Sequence, residues 1–275
     1  MGDQQDINMY NHTLPDRPEN IQRDETMRSY IDNIRYNKFN SGYKPKHQML
    51  FEYQYLTMED KEEFFKEIVQ PDTYWAQLNQ EWNYILEEPL WEVYQFPLLK
   101  KEICNMIIEE VEHFNHFYIG GVDSAPDRDP SNYGLQKSND VKALSDVNIH
   151  ALPGLKNPND KPLAYLYDDL QYRYIEPILS HVWKKNVKGT CWPWVSKYEA
   201  GGMEFLEPHN DDCTCASILT LNDGYEGGGT WFERKKVTVD PPTGWVAIHP
   251  SQLTHRHAAK RVTKGKRYVL VAFMD

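Results

Sequence analysis

The chain has 275 residues, with 41 Asp plus Glu against 30 Lys plus Arg and a formal charge of −11. That balance excludes general nucleic-acid binding, which needs a basic footprint. Forty per cent hydrophobic and 13% aromatic residues supply a sizeable core and exclude a disordered or fibrous chain.

The first stretch, MGDQQDINMYNHTLPDRPEN, is polar and lacks the apolar segment of a signal peptide. No apolar run approaches the roughly 20 residues of a membrane helix, so the chain reads as cytoplasmic and without a membrane span. Residues 1–70 read as a polar N-terminal extension with little predicted order, and 71–275 as the folded domain. Two short amphipathic helices are expected within 51–90, split near Pro71. A helix is predicted from Pro97, because Leu99, Ile103, Ile107, Val111 and Phe114 recur at helical spacing. Residues 120–162 read as loops around a short strand near Val147–His150, and a second helix covers Leu163–Trp183.

After Gly189 the pattern changes to short strand-like runs separated by Gly, Pro and Asn: CWPWVSKYEA, CASILTLN, GGTWFERKKVTV, GWVAIHP and RYVLVAFM. Helices followed by many short strands predict an α+β fold. The expected core is a double-stranded β-helix of the jelly-roll or cupin type, with its strands mainly in 190–275 and helices supporting it. The four cysteines, Cys104, Cys191, Cys213 and Cys215, form no CxxC pair and read as free thiols. Positive charge gathers at the C-terminal end: from Arg234 onward nine Lys and Arg face only Asp240 and Asp275.

His209 and Asp211 stand two apart in EPHNDDCTCASILTLN and point the same way on extended backbone. With one further His they would make the facial triad of a non-haem iron centre, which leaves three positions open for a chelating α-keto acid and oxygen. The third ligand is expected on a later strand. Of the three histidines there, His255 is favoured because it follows GWVAIHP and precedes a basic loop. His257 shares its parity and is the reserve, while His249 beside Pro250 reads as a packing or turn residue.

Arg267 opens RYVLVAFM with the parity of Val269, Val271 and Phe273. An inward arginine in an apolar barrel needs a carboxylate, and its planar fork suits the distal carboxylate of 2-oxoglutarate. Tyr198 on WPWVSKYE is a candidate second donor to that carboxylate. The three glycines of YEGGGTWF allow a tight turn near the metal mouth and do not form a phosphate cradle.

Together PHNDDCTCASILTLN, YEGGGTWFERKK, GWVAIHPSQLTHRH and KGKRYVLVAFMD resemble the catalytic domain of procollagen-lysine 5-dioxygenases (lysyl hydroxylases), within the prolyl and lysyl hydroxylase group. Upstream, WEVYQFPLLKKEICNMIIEEVEHF resembles the helix opening that domain, so the resemblance covers about residues 74–275. It implies His209, Asp211 and His255 as iron ligands and Arg267 as the 2-oxoglutarate anchor. It implies Fe(2+), 2-oxoglutarate, O2 and L-ascorbate as cofactors, and hydroxylation of a lysine in a protein or peptide, collagen-like in the family. It also implies a homodimer through the C-terminal end. The chain departs from the family's pattern at Ile218, where the family carries Asn. The alternatives are a hydroxylase of prolyl or other substrates and an inactive jelly-roll that only binds a partner.

Overall fold

The computed structural model describes residues 18–119, 144–184, 187, 191–251 and 253–275. It begins with helices α1 (Pro18–Asn40), α2 (Gln48–Glu52), α3 (Met58–Ile68) and α4 (Pro71–Asn79). Thr57 caps α3 by accepting a hydrogen bond from the Asp60 amide, and Pro71 opens α4 where a missing N–H costs nothing. The hairpin β1 (Glu87–Leu90) and β2 (Val93–Pro97) follows, then α5 (Lys101–Phe114), β3 (Tyr118–Ile119) and β4 (Leu144–Asn148). Helices α6 (Pro162–Leu170) and α7 (Glu176–Trp183) are joined by a π-helical turn at Gln171–Ile175.

Ten strands follow among the described residues from Cys191 onward. They are β5 (Cys191–Glu199), β6 (Leu206–His209), β7 (Cys215–Thr220), the two-residue β8 (Glu226–Gly227), β9 (Thr230–Phe232), β10 (Val237–Val239), β11 (Trp245–Pro250), β12 (His257–Ala259) and β13 (Val262–Lys264), before the closing β14 (Lys266–Met274). They form a large antiparallel sheet ordered β1-β2-β11-β7-β14-β5-β4-β3 and a small one ordered β10-β9-β12-β6. A two-stranded ribbon, β13-β8, stands beside them.

Strand alternation sorts the residues of the large sheet between two environments. Leu219 of β7, Val246 and Ile248 of β11, and Leu270 and Ala272 of β14 join the helices in the main core. The opposite parity meets the small sheet. Tyr198, Ile218, Val269 and Val271 pack with Ala259 and Leu206. Val93 and Ala247 pack with Phe232 and Val239. Two antiparallel sheets facing one another, with helices behind the larger, are the α+β jelly-roll expected from the sequence.

Three expectations change. The stretch expected to carry little order supplies helices whose Ile31, Ile34, Leu50, Phe51, Phe64, Phe65 and Ile68 lie in the main core. Buried Arg35 ties α1 down, donating to the carbonyls of Pro158 and His150 at 2.8 Å each. On α5, Glu110 accepts from the Tyr43 hydroxyl and the His47 amide, fastening the next link. Pro97 ends β2, paired with Trp245, and does not open a helix; α5 starts at Lys101. Finally, the large sheet recruits β1 to β3 from segments too short to show a period, while β4 overlaps the short strand expected near Val147–His150. Most of the loop region expected over 120–162 lies outside the described residues up to 143.

Candidate metal centre and anion site

His209 ends β6 and His257 begins β12, and the two are direct partners across the antiparallel pair. Their rings stand 4.5 Å apart. Asp211 follows two residues after His209, and its carboxylate lies between the rings. Oδ1 is 3.3 Å from His209 Nε2, and Oδ2 is 3.5 Å from His257 Nε2. One ligand atom from each of the three residues falls within 4.8 Å of the others.

Both rings are oriented from behind. His209 Nδ1 donates to the Glu207 carbonyl at 2.8 Å, and His257 Nδ1 donates to the His255 carbonyl at 3.0 Å. A carbonyl can only accept, so in each neutral ring the proton sits on Nδ1 and Nε2 presents its lone pair. A carbonyl behind the ring that fixes its tautomer and orientation is the usual arrangement for a metal-binding imidazole. Burial opposes the charged form of His209, but the contacts with the Asp211 carboxylate and the Glu207 carbonyl together outweigh it and raise its pKa. Burial and the neighbouring His249 push His257 down to about 3. Burial would raise Asp211, yet the three surrounding imidazoles hold its carboxyl below the usual range. An ionised carboxylate beside a neutral buried imidazole is the donor set a divalent cation needs.

The structure does not bring His255 into this group. Residues Leu253–His255 form a single 3-10 turn, so strand parity does not apply there. Both ring nitrogens are already engaged. Nε2 donates to the Trp91 carbonyl at 3.2 Å, and Nδ1 lies 2.9 Å from the Thr254 hydroxyl. The ring also stacks on the Trp91 indole, 21° from parallel. His257, the reserve in the sequence, occupies the third corner instead. The feature that distinguishes it is the run His257-Ala258-Ala259, which is strand, whereas 253–255 is turn.

His249 is more than a turn residue. It is fully buried on β11, with its ring 4.6 Å from that of His257 and 5.3 Å from Phe232. Its Nδ1 donates to the Pro250 carbonyl, and its Nε2 has no hydrogen-bond partner among the described residues.

Arg267 points into the space between the sheets, as its parity predicts, and is 2% exposed. Its Nε and Nη2 have no hydrogen-bond partner among the described residues. A buried guanidinium with two idle donors is a ready anion site, because such donors are costly to leave unpaired. Tyr198 is its direct cross-strand neighbour on β5, with the guanidinium carbon 5.8 Å from the ring centre. Burial and the Asp146 carboxylate raise the Tyr198 pKa, while Arg267 opposes the shift and Asp211 adds to it. Tyr198 therefore feels the charges of both Arg267 and Asp211. Ile218 lies beside it on the inner face.

The thiols play no part. Cys104, Cys213 and Cys215 form no disulfide among the described residues, and the Cys213 thiol lies 2.9 Å from the Ser251 hydroxyl.

Known proteins match in three ways. Residues 39–134 match the OGFOD2-like domain family. Among curated proteins, the rat multifunctional procollagen lysine hydroxylase and glycosyltransferase LH3 is 29% identical over 199 residues, 70% of this chain and 24% of that protein. Chicken procollagen-lysine,2-oxoglutarate 5-dioxygenase 1 is 30% identical over 197 residues, again 70% of this chain and 25% of that protein. The chain thus spans about a quarter of the length of these relatives. Of solved structures, a prolyl hydroxylase from Trichoplax adhaerens in complex with a hypoxia inducible factor oxygen degradation domain peptide is 16% identical. It has a TM-score of 0.45 and covers 63% of this chain and 77% of that one. No described helix is long and apolar enough to cross a membrane. Over about 70% of its length, then, this chain is similar to one portion of the procollagen lysine hydroxylases.

Proposed function

We propose that the chain is an iron(II)- and 2-oxoglutarate-dependent dioxygenase that hydroxylates a lysine in a protein or peptide. The observation that carries the proposal is the pairing of two features between the same two sheets. One is a His209, Asp211 and His257 cluster with both Nε2 atoms turned inward; the other is the buried Arg267 with idle donors. The donor set, two imidazoles and one carboxylate, fits ferrous iron and leaves open positions.

In this reading His209, Asp211 and His257 hold the metal, and the backbone carbonyls of Glu207 and His255 fix the two rings. Arg267 grips the distal carboxylate of 2-oxoglutarate, with Tyr198 beside it. The apolar side chains Ile218, Val269 and Val271 keep water from the space between. When bound, iron and 2-oxoglutarate together activate dioxygen, placing one oxygen atom on a substrate C–H bond and the other in succinate as carbon dioxide leaves. L-ascorbate as the reductant, and a dimer through the C-terminal end, come with the resemblance to the lysyl hydroxylases. Lysine as the target rests on the named activity of the curated relatives.

The test has two stages. Purified protein with iron(II) and ascorbate should convert 2-oxoglutarate to succinate even without substrate. Libraries of lysine- and proline-containing peptides, collagen-like repeats included, should then show the mass gain of one oxygen on a lysyl peptide. Turnover with gain only on prolyl peptides overturns the lysine assignment. Absence of both turnover and iron binding overturns the enzymatic one.

A further inference from the structure

Of three consecutive glycines, Gly227 packs on the Arg261 backbone while Gly228 and Gly229 stand beside Arg267 and Asp240, and the proposed reaction gives them no role. A Cβ on Gly228 would lie 2.9 Å from the Tyr225 ring and 3.0 Å from Arg267 Cδ. A Cβ on Gly229 would lie 2.6 Å from Thr238 Cγ2 and 3.1 Å from Asp240 Cβ. All three glycines also adopt left-handed backbone, open to Gly at little cost. The bare backbone thus makes room for three side chains at one place: Tyr225, Asp240 and Arg267.

These side chains are connected. The Tyr225 hydroxyl donates to Asp240 Oδ1 at 2.9 Å. The same oxygen is 3.8 Å from Arg267 Nε. That separation is an ion pair but too long for a hydrogen bond. Asp240 is about one-third exposed, whereas Arg267 is buried. Burial raises the Tyr225 pKa to about 12, with Arg267 and Asp240 pulling it in opposite directions, so the hydroxyl keeps its proton and acts as the donor.

We propose that Tyr225 and Asp240 form a displaceable counter-ion clasp on Arg267 that sets the affinity for the co-substrate carboxylate. The proposal rests on the reading of Arg267 as the 2-oxoglutarate anchor. Without co-substrate, Asp240 partly neutralises a cation that would otherwise be buried alone. Its contact is loose enough to leave Nε and Nη2 available. An arriving carboxylate takes those donors and meets the fixed negative charge of Asp240 beside them. The clasp therefore stabilises the empty protein and weakens anion binding, which keeps the co-substrate exchangeable. Tyr225 holds Asp240 in place and prevents it from turning out to water.

The two effects have opposite signs, which separates a clasp from a structural contact. Isothermal titration of the full chain with 2-oxoglutarate, in the presence of manganese(II), reads affinity without turnover. Asp240→Asn keeps the shape and can still accept from Tyr225. It should tighten 2-oxoglutarate about threefold to tenfold, as expected for removing one partly screened like charge. Its ligand-free melting temperature should fall, and its ligand-induced rise should grow. Tyr225→Phe should tighten binding in the same direction by a smaller factor. Unchanged or weaker binding in Asp240→Asn, or weaker binding in a folded Tyr225→Phe, overturns the clasp. Arg267→Ala is the control: if it binds 2-oxoglutarate as tightly as the unaltered chain, the anchor reading itself fails, whatever the other two variants do.

Discussion

His257 faces His209 across one antiparallel strand pair, with their rings 4.5 Å apart, whereas His255 turns away to stack on Trp91. Two histidines of equal parity, separated by a single arginine, thus have different surroundings.

Metal binding should divide them. His257→Ala is expected to abolish iron or manganese binding, since a facial triad has no ligand to spare. His255→Ala should retain the metal and lose the ring's stacking on Trp91 and its hydrogen bonds to the Trp91 carbonyl and Thr254 hydroxyl, about 1–3 kcal/mol of stability. Metal content after dialysis, with a melting curve for each variant, checks both. A His255→Ala protein devoid of metal, beside a His257→Ala protein that keeps it, would return the third corner to 255.

How far the sequence reached this site depends on the local backbone. Where strands are regular, alternation was enough: Arg267, Val269 and Val271 face the small sheet, and Leu270 and Ala272 face the helices, as parity requires. The pair His209 and Asp211 was legible from its two-residue spacing, although β6 ends at His209. Parity could not choose between 255 and 257, because the two share it. The choice turns on a 3-10 turn that ends at His255, and no period marks such a turn. Tyr225 and Asp240 were invisible as a pair, being 15 residues apart on either side of β9 and β10.

Arg267 should show a conflict between binding and stability. Arg267→Met is expected to weaken 2-oxoglutarate by roughly a hundredfold or more, the cost of losing a buried charge-assisted pair. The ligand-free variant should melt no lower than the unaltered chain and is expected to gain about 1 kcal/mol, since a buried and poorly compensated cation is replaced by an apolar chain. Calorimetric titration and thermal melting give the two readings. A variant that binds normally would remove Arg267 from the site.

The N-terminal helices should prove integral to the domain. Phe65 is fully buried on α3, edge-on to Tyr53 at 5.6 Å and to Tyr174 at 5.9 Å. Phe65→Ala should cost about 3–5 kcal/mol, as buried aromatic truncations do. Urea unfolding of the variant measures this. A loss below about 1 kcal/mol would mean that the helix is not packed as described. The sequence understated this region because α1 is rich in charge and amide side chains, while its buried contribution comes from a few residues such as Ile31 and Ile34.

Acid should act through His150. Burial, with Lys161 and Arg35 nearby, pushes its pKa down from 6.5 to about 3. Above pH 6.5 the ring is neutral both folded and unfolded and contributes nothing. Below that value the unfolded chain takes up the proton first, so stability falls with pH by up to about 1.4 kcal/mol per unit until the folded ring also titrates. His150→Gln should lack this component. Denaturant titrations at pH 7 and pH 5 should therefore show the unaltered chain losing about 2 kcal/mol more than the variant over that interval. Equal losses would contradict the depressed pKa.

In the proposed reading, the three ligand side chains His209, Asp211 and His257 ride on or beside the small sheet, and the anchor Arg267 rides on the large one. No single strand fixes the span from metal to guanidinium. That span is the calibre of a jaw, and the wedges that hold it open are Tyr198, Ile218 and Val269 from one side and Ala259 and Leu206 from the other. Trimming or enlarging a wedge moves the two halves of the site together or apart without touching a ligand or the anchor. The length of keto diacid that the jaw admits is then a property of apolar packing, open to adjustment at positions that carry no chemistry of their own.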